Sequence, residues 1–206
     1  MCVRLIIILV LATLPGWSDE SRVKIEDRGY AIYRDNCMDC HLTTGMGIRE
    51  MNAPSIAGLP RWYITDQLRK FRREERGSHN EDPSGILMQM KAMTLAETDL
   101  VFVGKYIESL APNPQRNTAN IHIEDTTKTH YMADCSRCHG DKAEGVRSER
   151  APPLIRQPDW YLTKQMESFR NGIREHTKDA AYVERSEAEA NAIIAWIAGL
   201  PVEATE

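Results

Sequence analysis

Apolar residues in this chain recur at three- and four-residue steps, and nowhere do they sustain the period-two alternation of a half-buried strand. The pattern therefore predicts helices throughout. One is predicted around Arg28 to Asn36. A second, from Trp62 to about Arg73, brings Trp62, Leu68 and Phe71 near one stripe, and Trp160 to Arg170 repeats it. After Thr94, read as an N-cap, Leu100, Val103, Ile107 and Leu110 form the apolar face of a helix ending near Leu110. Ser186 to Leu200 has the same character. It opens Ser-Glu-Ala-Glu, a capping-box pattern, and Gly199-Leu200-Pro201 closes it.

These helices fall into two copies of one unit. Shifted by 98 positions, residues 33–72 overlay 131–170 without a gap, with 15 identities in 40 positions. Tyr33 meets Tyr131, Ala53-Pro54 meets Ala151-Pro152, Trp62-Tyr63 meets Trp160-Tyr161, and Gln67 meets Gln165. Such self-similarity reads as a duplication. Between the copies, Pro112-Asn113-Pro114-Gln115-Arg116-Asn117 breaks helix and favours extended backbone. The predicted organisation is all-α: a segment 1–18, a first domain 19–111, a linker 112–127 and a second domain 128–206.

The first 18 residues read as an export signal. Arg4 precedes the apolar run Leu5 to Leu14, and Gly16-Trp17-Ser18 supplies small residues ahead of a cleavage point before Asp19. Ten apolar residues are short against the roughly 20 that span a bilayer, so no transmembrane anchor is expected after cleavage. Composition narrows the functions further. With 26 basic against 30 acidic residues, net −4, the chain is a poor candidate for binding nucleic acid through phosphates.

The chemistry sits in the cysteines. Cys37-Met38-Asp39-Cys40-His41 and Cys135-Ser136-Arg137-Cys138-His139 are both C-x-x-C-H. Cysteines at i and i+3 of a helical turn point to one side, where each can form a thioether with one haem vinyl group. The following histidine is then carried under the iron. A zinc site made by four cysteines, a thioredoxin-like pair and structural disulfides are the rivals. None of them needs a histidine directly after both pairs. Two covalently attached haem c groups are expected, with His41 and His139 as proximal ligands.

On these motifs the chain resembles class I c-type cytochromes, and specifically the tandem two-haem group that includes cytochrome c4, over roughly residues 26–201. The resemblance implies that Gly29 and Tyr33 let the first helix cross the last one closely, against Tyr106. In the second copy Tyr131 and Trp196 fit, while Thr127 stands where the glycine would be. It also implies that the carbonyls of Pro54 and Pro152 accept the Nδ1–H of the two proximal histidines. Met88, seven residues before Leu95, takes the position of the sixth ligand of the first iron, with Met90 as runner-up. Met90 and Met93 alternatively read as flexible core filler.

The second copy has no such methionine. Met166, the last in the chain, falls inside the middle helix and reads as core. The last helices align at a shift of 90 instead of 98, so the second copy lacks eight residues in the segment that bears Met88. His176 is the first choice for its sixth ligand. Lys178, Tyr182 and an open position are the alternatives.

The expected function is single-electron transfer between redox protein partners in the periplasm, with two unequal potentials and the first haem the higher. An open second haem would instead bind a small molecule, as an enzyme does. A third reading is the cytochrome subunit of a larger oxidoreductase. Arg69-Lys70-Phe71-Arg72-Arg73 reads either as a docking patch or as a solvated helix face, since Glu74-Glu75 follow at once.

Overall fold

The structure is a computed structural model and describes residues 19–113, 125–176 and 185–200. The predicted signal segment, most of the linker, and Lys178 and Tyr182 lie outside the described residues.

The first domain runs α1 (Asp19–Asn36), α2 (Met38–His41), α3 (Arg61–Arg72), α4 (Pro83–Met93) and α5 (Glu97–Ser109). The second runs α6 (Asp125–Asp134), α7 (Ser136–His139), α8 (Asp159–Arg170) and α9 (Glu187–Gly199). Among the described residues the only extended pairings are two isolated bridges, Ile48 with Ala53 and Val146 with Ala151, themselves copies of each other. The linker is one helix start shorter than its composition suggests, because residues 125–127 already belong to α6. No described helix is long and apolar enough to cross a membrane.

Each domain folds around the crossing of its first and last helices. In the first, Tyr33, Leu59, Ile64, Val103 and Ile107 form the buried cluster. In the second, Tyr131, Ile155, Leu162, Ile193 and Ile197 do. A Cβ added at Gly29 would lie 2.6 Å from the Phe102 carbonyl oxygen and 2.9 Å from Tyr106 Cβ, so α1 and α5 meet there backbone to backbone. The Tyr33 and Tyr106 rings meet beside the crossing, tilted by 52° with centres 5.1 Å apart. Thr127 is buried at the equivalent place and α6 still packs on α9, with Tyr131 4.8 Å from Trp196.

Helix ends differ in how well their residues announce them. Ser186 caps α9 as its sequence suggests: its hydroxyl accepts from the Glu189 N–H, and the Glu189 carboxylate accepts from the Ser186 N–H at 2.9 Å. Thr94 does not start α5. It ends α4, its hydroxyl donating to the Lys91 carbonyl at 2.8 Å, and Ala96 caps α5 with the Asp99 carboxylate bonded to its N–H. Helix α4 has no counterpart among the predicted elements. Asp82 caps it by accepting from the Gly85 N–H at 3.0 Å, and Pro83 opens it.

The two domains meet face to face. Gln157 donates to the Ser55 carbonyl at 3.2 Å, and Arg156 donates to the Gly58 carbonyl. Lys164 donates to the Ser84 hydroxyl at 2.5 Å and stands 3.6 Å from the Asp82 carboxylate.

Candidate haem centres

Each C-x-x-C-H segment is a single helical turn set at the end of a longer helix. The Cys37 carbonyl accepts from the N–H groups of Cys40 and His41 at 3.2 and 2.9 Å. The Cys135 carbonyl does the same for Cys138 and His139 at 3.1 and 2.9 Å. This turn puts both thiols of a pair on one side. Tyr33 and Tyr131 pin the turns from the core, their hydroxyls donating at 2.6 Å to the carbonyls of Leu42 and Gly140. Leu42 and Gly140 are repeat partners, and both have left-handed φ, of 61° and 80°. The chain thus leaves the motif by the same sharp bend in each copy.

The rivals named from sequence fare poorly in this arrangement. Cys37, Cys40, Cys135 and Cys138 form no disulfide with one another. Burial pushes the Cys37 thiol up to about 12 and the Cys135 thiol to about 11, so neither is a thiolate poised for redox exchange. Among the described residues no group of three or more His, Cys, Asp or Glu is gathered to hold a metal ion.

His41 and His139 are buried beneath their turns. Each sets Nδ1 2.9 Å from a proline carbonyl, that of Pro54 and Pro152 respectively. A carbonyl only accepts, so Nδ1 carries the hydrogen and Nε2 keeps its lone pair. Burial also holds both imidazoles below their ordinary value, keeping them neutral. These are the conditions of a metal-ligating histidine.

Met88 lies on α4, which packs against α3, and is half-buried. Met90 and Met93 are exposed, at 60% each, and do not pack into the protein core. In the second domain a crevice of about 410 Å³ opens over the motif, lined by Cys135, Cys138, His139, Pro152, Met166 and His176. Its size and its mix of apolar walls with a few polar groups suit a bound planar cofactor. Met166 packs on the core, as its position suggests, and also faces this crevice. The His139 and His176 ring centres are 6.3 Å apart with 31° between the planes, and Phe169 meets His176 edge-on at 4.7 Å. Burial first, then the neighbouring His139, Arg174 and Lys70, push His176 down to about 4, which leaves it a neutral imidazole.

Sequence reasoning missed that the first domain helps to wall this crevice. Tyr63, Gln67 and Lys70 line it from α3. The Tyr63/Tyr161 and Gln67/Gln165 identities were the available signal, but a shared position says nothing about facing another domain. The basic run on α3 has the local partners of a solvated face. Arg69 and Arg72 pair with Glu97 at 2.5 and 2.9 Å, Lys70 lies 4.0 Å from Asp66, and Phe71 is buried.

The cytochrome c family profile matches residues 26–111 and again 125–201. The chain belongs to the cytochrome c family. With one C-x-x-C-H motif in each matched segment, it carries two covalent haem c groups, and the residues around each motif fit such a group on the geometry above. The chain is 27% identical, over 83% of its length and 81% of the relative's, to a thiosulfate dehydrogenase electron acceptor of Thiomonas intermedia. It is 25% identical to cytochrome c4 of Azotobacter vinelandii, over 69% of this chain and 71% of that one. Among solved structures, the thiosulfate dehydrogenase TsdBA of Marichromatium purpuratum superposes with a TM-score of 0.68 at 26% identity. That superposition covers 85% of this chain but 40% of TsdBA. Reduced cytochrome c4 of Pseudomonas stutzeri shares the fold, with a TM-score of 0.67 over 85% of this chain and 98% of its own. The protein is a dihaem c-type cytochrome of electron transfer.

Proposed function

We propose that this cytochrome is a periplasmic carrier with two unlike irons, the first held by His41 and Met88 and the second by His139 and His176. In this reading Cys37 and Cys40, and Cys135 and Cys138, form the thioether links. The observation that carries the second ligand pair is the 6.3 Å between the His139 and His176 rings across one crevice. Rings at this separation would be within reach of one iron that both could hold. Two neutral rings supply the lone pairs this needs. The half-buried Met88, opposed to the exposed Met90, supports the first pair.

When bound, each haem supplies a one-electron iron couple. The chain's residues set its level. The Pro54 and Pro152 carbonyls fix the rings of His41 and His139 and, by accepting Nδ1–H, make Nε2 a stronger donor. When the haems are bound, the Met88 thioether would favour the reduced form of the first iron, and the His176 imidazole would favour the oxidised form of the second. The first site is therefore the stronger electron acceptor.

The electron donor in this reading is a thiosulfate dehydrogenase, free or in complex. Similarity over most of both chains to proteins named as the electron acceptor of that enzyme supports it. So does the likeness to part of TsdBA.

Spin resonance of the oxidised holoprotein tests the ligand sets: two low-spin signals are expected and no high-spin iron. Carbon monoxide added to reduced protein should leave the spectrum unchanged, and His176→Ala should open half of the haem to it. A high-spin signal from half the iron, or carbon monoxide binding to the wild type, would overturn the bis-histidine site and favour an enzyme with an open haem. The donor is tested separately by following haem reduction after mixing with thiosulfate and a thiosulfate dehydrogenase. Absence of reduction there removes the donor and leaves the ligand sets standing.

A further inference from the structure

Helix α4 carries Met88, and its first turn is held in place by more than its own cap. Asp82 accepts from the Gly85 N–H at 3.0 Å, and the Ser84 hydroxyl donates to the same carboxylate at 3.3 Å. A Cβ added at Gly85 would lie 2.9 Å from the Gly77 Cα, so this turn rests directly on the loop that follows α3. A further hold comes from the other domain. Lys164, on α8, donates to the Ser84 hydroxyl at 2.5 Å and stands 3.6 Å from the Asp82 carboxylate. Hydrogen bonds therefore run from the Lys164 ammonium through Ser84 to the carboxylate that caps α4.

A cation beside a helix N-terminus opposes the helix dipole, so Lys164 does not stabilise α4 through the backbone. Its partners are side chains, at the cap and at the second helical position. Ser84 and Met88 are four residues apart, which sets Met88 one turn beyond the contact, about 6 Å along the axis and on the same side of the helix. Both are half-buried. Lys164 is the repeat partner of Asp66, which accepts from Arg150, so this position bridges the domains in both copies. From Asp66 the bridge ends on a loop; from Lys164 it ends on the helix that carries a candidate axial ligand. A thioether is a soft donor that oxidised iron holds weakly, so its bond in that state depends on how firmly the chain presents it.

We propose that Lys164 of the second domain is a positioning residue for the first haem: by holding the first turn of α4 through Ser84 and Asp82, it keeps Met88 on the first iron in the oxidised state. The inference rests on the reading of Met88 as the sixth ligand and deepens it, because control of that ligand then lies in the other domain. A substitution in the second domain therefore acts on the iron of the first.

The test is an imidazole titration of the oxidised holoprotein, following the weak far-red absorption that a thioether-bonded oxidised haem gives. Wild type is compared with Lys164→Leu, Lys164→Arg and Ser84→Ala, with haem content checked at two per chain. Lys164→Leu should let imidazole displace the thioether at about fivefold lower concentration, the effect of losing one ordinary hydrogen bond. Ser84→Ala should do the same, and combining the two should add little, since both remove one contact. Lys164→Arg, which keeps cation and donor, should stay near the wild type. The spin-resonance signal of the second haem should not move in any of them. Wild-type imidazole affinity in Lys164→Leu would overturn the proposal, as would a change confined to the second haem. If Lys164→Leu fails to accumulate, an unchanged Ser84→Ala overturns it equally. A far-red band that is missing from the wild type, or that survives Met88→Ala, would instead overturn the Met88 reading itself, before any Lys164 variant is compared.

Discussion

At the residue scale, two histidines share one local setting. His41 and His139 share the same turn, the same 2.9 Å bond to a proline carbonyl and the same burial. In the proposed ligand sets, what separates the two irons is a single side chain at each, Met88 in one case and His176 in the other. Replacing Met88 with alanine should therefore lower one midpoint by on the order of 0.1 V or more, within the roughly 0.8 V that axial ligands span, and leave the other nearly where it was. Spectroelectrochemistry reads this directly. The same substitution at Met90, on the outer face of α4, should change neither.

The cysteine motifs, both proximal histidines and the two prolines were legible because they are local in sequence and recur at one fixed shift. His176 could be nominated but not decided. Whether a loop histidine lies near the motif depends on how the loop returns after α8, and His176 does lie beside His139. Arg76 and Arg174 share the 98-residue register, yet that each reaches the other domain's tyrosine, Tyr161 and Tyr63, is not written in either copy.

At the element scale, the first crossing depends on a missing side chain. Gly29→Ala would force a Cβ to 2.6 Å from the Phe102 carbonyl, against backbone that has little room to move. Thermal unfolding should show a loss of about 1–3 kcal/mol, the usual range for overpacking. Helix α9 carries a different device. The Ser186 backbone and side-chain hydrogen bonds, followed by Arg185, hold the Glu189 carboxyl down to about 2 from an ordinary 4.5. Because the folded value is depressed, the stabilisation is present above the unfolded value and is lost as pH falls toward the folded one. The stability gap between wild type and Glu189→Gln should be full above about pH 5 and narrow steadily toward about pH 2, as followed by chemical denaturation at each pH. Ser186→Ala should cost about 1 kcal/mol near neutrality.

Capping explains which elements the sequence revealed. Ser186 and Glu189 sit at the spacing of a capping box, so the start of α9 could be read from them. Helix α4 went unread because Leu87, Met90 and Met93 all face outward, which blurs the apolar period that marks a helix. Thr94 reads as the start of α5 but closes α4, because serine and threonine hydroxyls serve both ends of helices.

At the scale of the whole molecule, the two domains are alike in fold and, in the proposed ligand sets, unlike at their irons, so the protein should not titrate as one centre. Two separate one-electron waves are expected, the higher assigned to the first haem by its loss in Met88→Ala. A His176→Met variant should raise the lower wave toward the upper. The domain contact that fixes the relation between them is polar: Gln157 on the Ser55 carbonyl, Lys164 between Ser84 and Asp82, and Arg156 on the Gly58 carbonyl. None of these pairs is near in sequence, the Lys164 to Ser84 bond alone spanning 80 positions.

The chain by itself determined the helical class, the duplication, the two haem-attachment motifs and the loss of the methionine segment from the second copy. Each of these is a matter of residue type at short or repeated spacing, which local backbone geometry turns into structure directly. Tertiary structure alone decided that α3 of the first domain walls the crevice of the second, that His176 faces His139, and that two arginines converge between the domains. Those outcomes depend on the angle and register at which one folded unit is laid on another, and that angle is set by side chains brought together only after both units have formed.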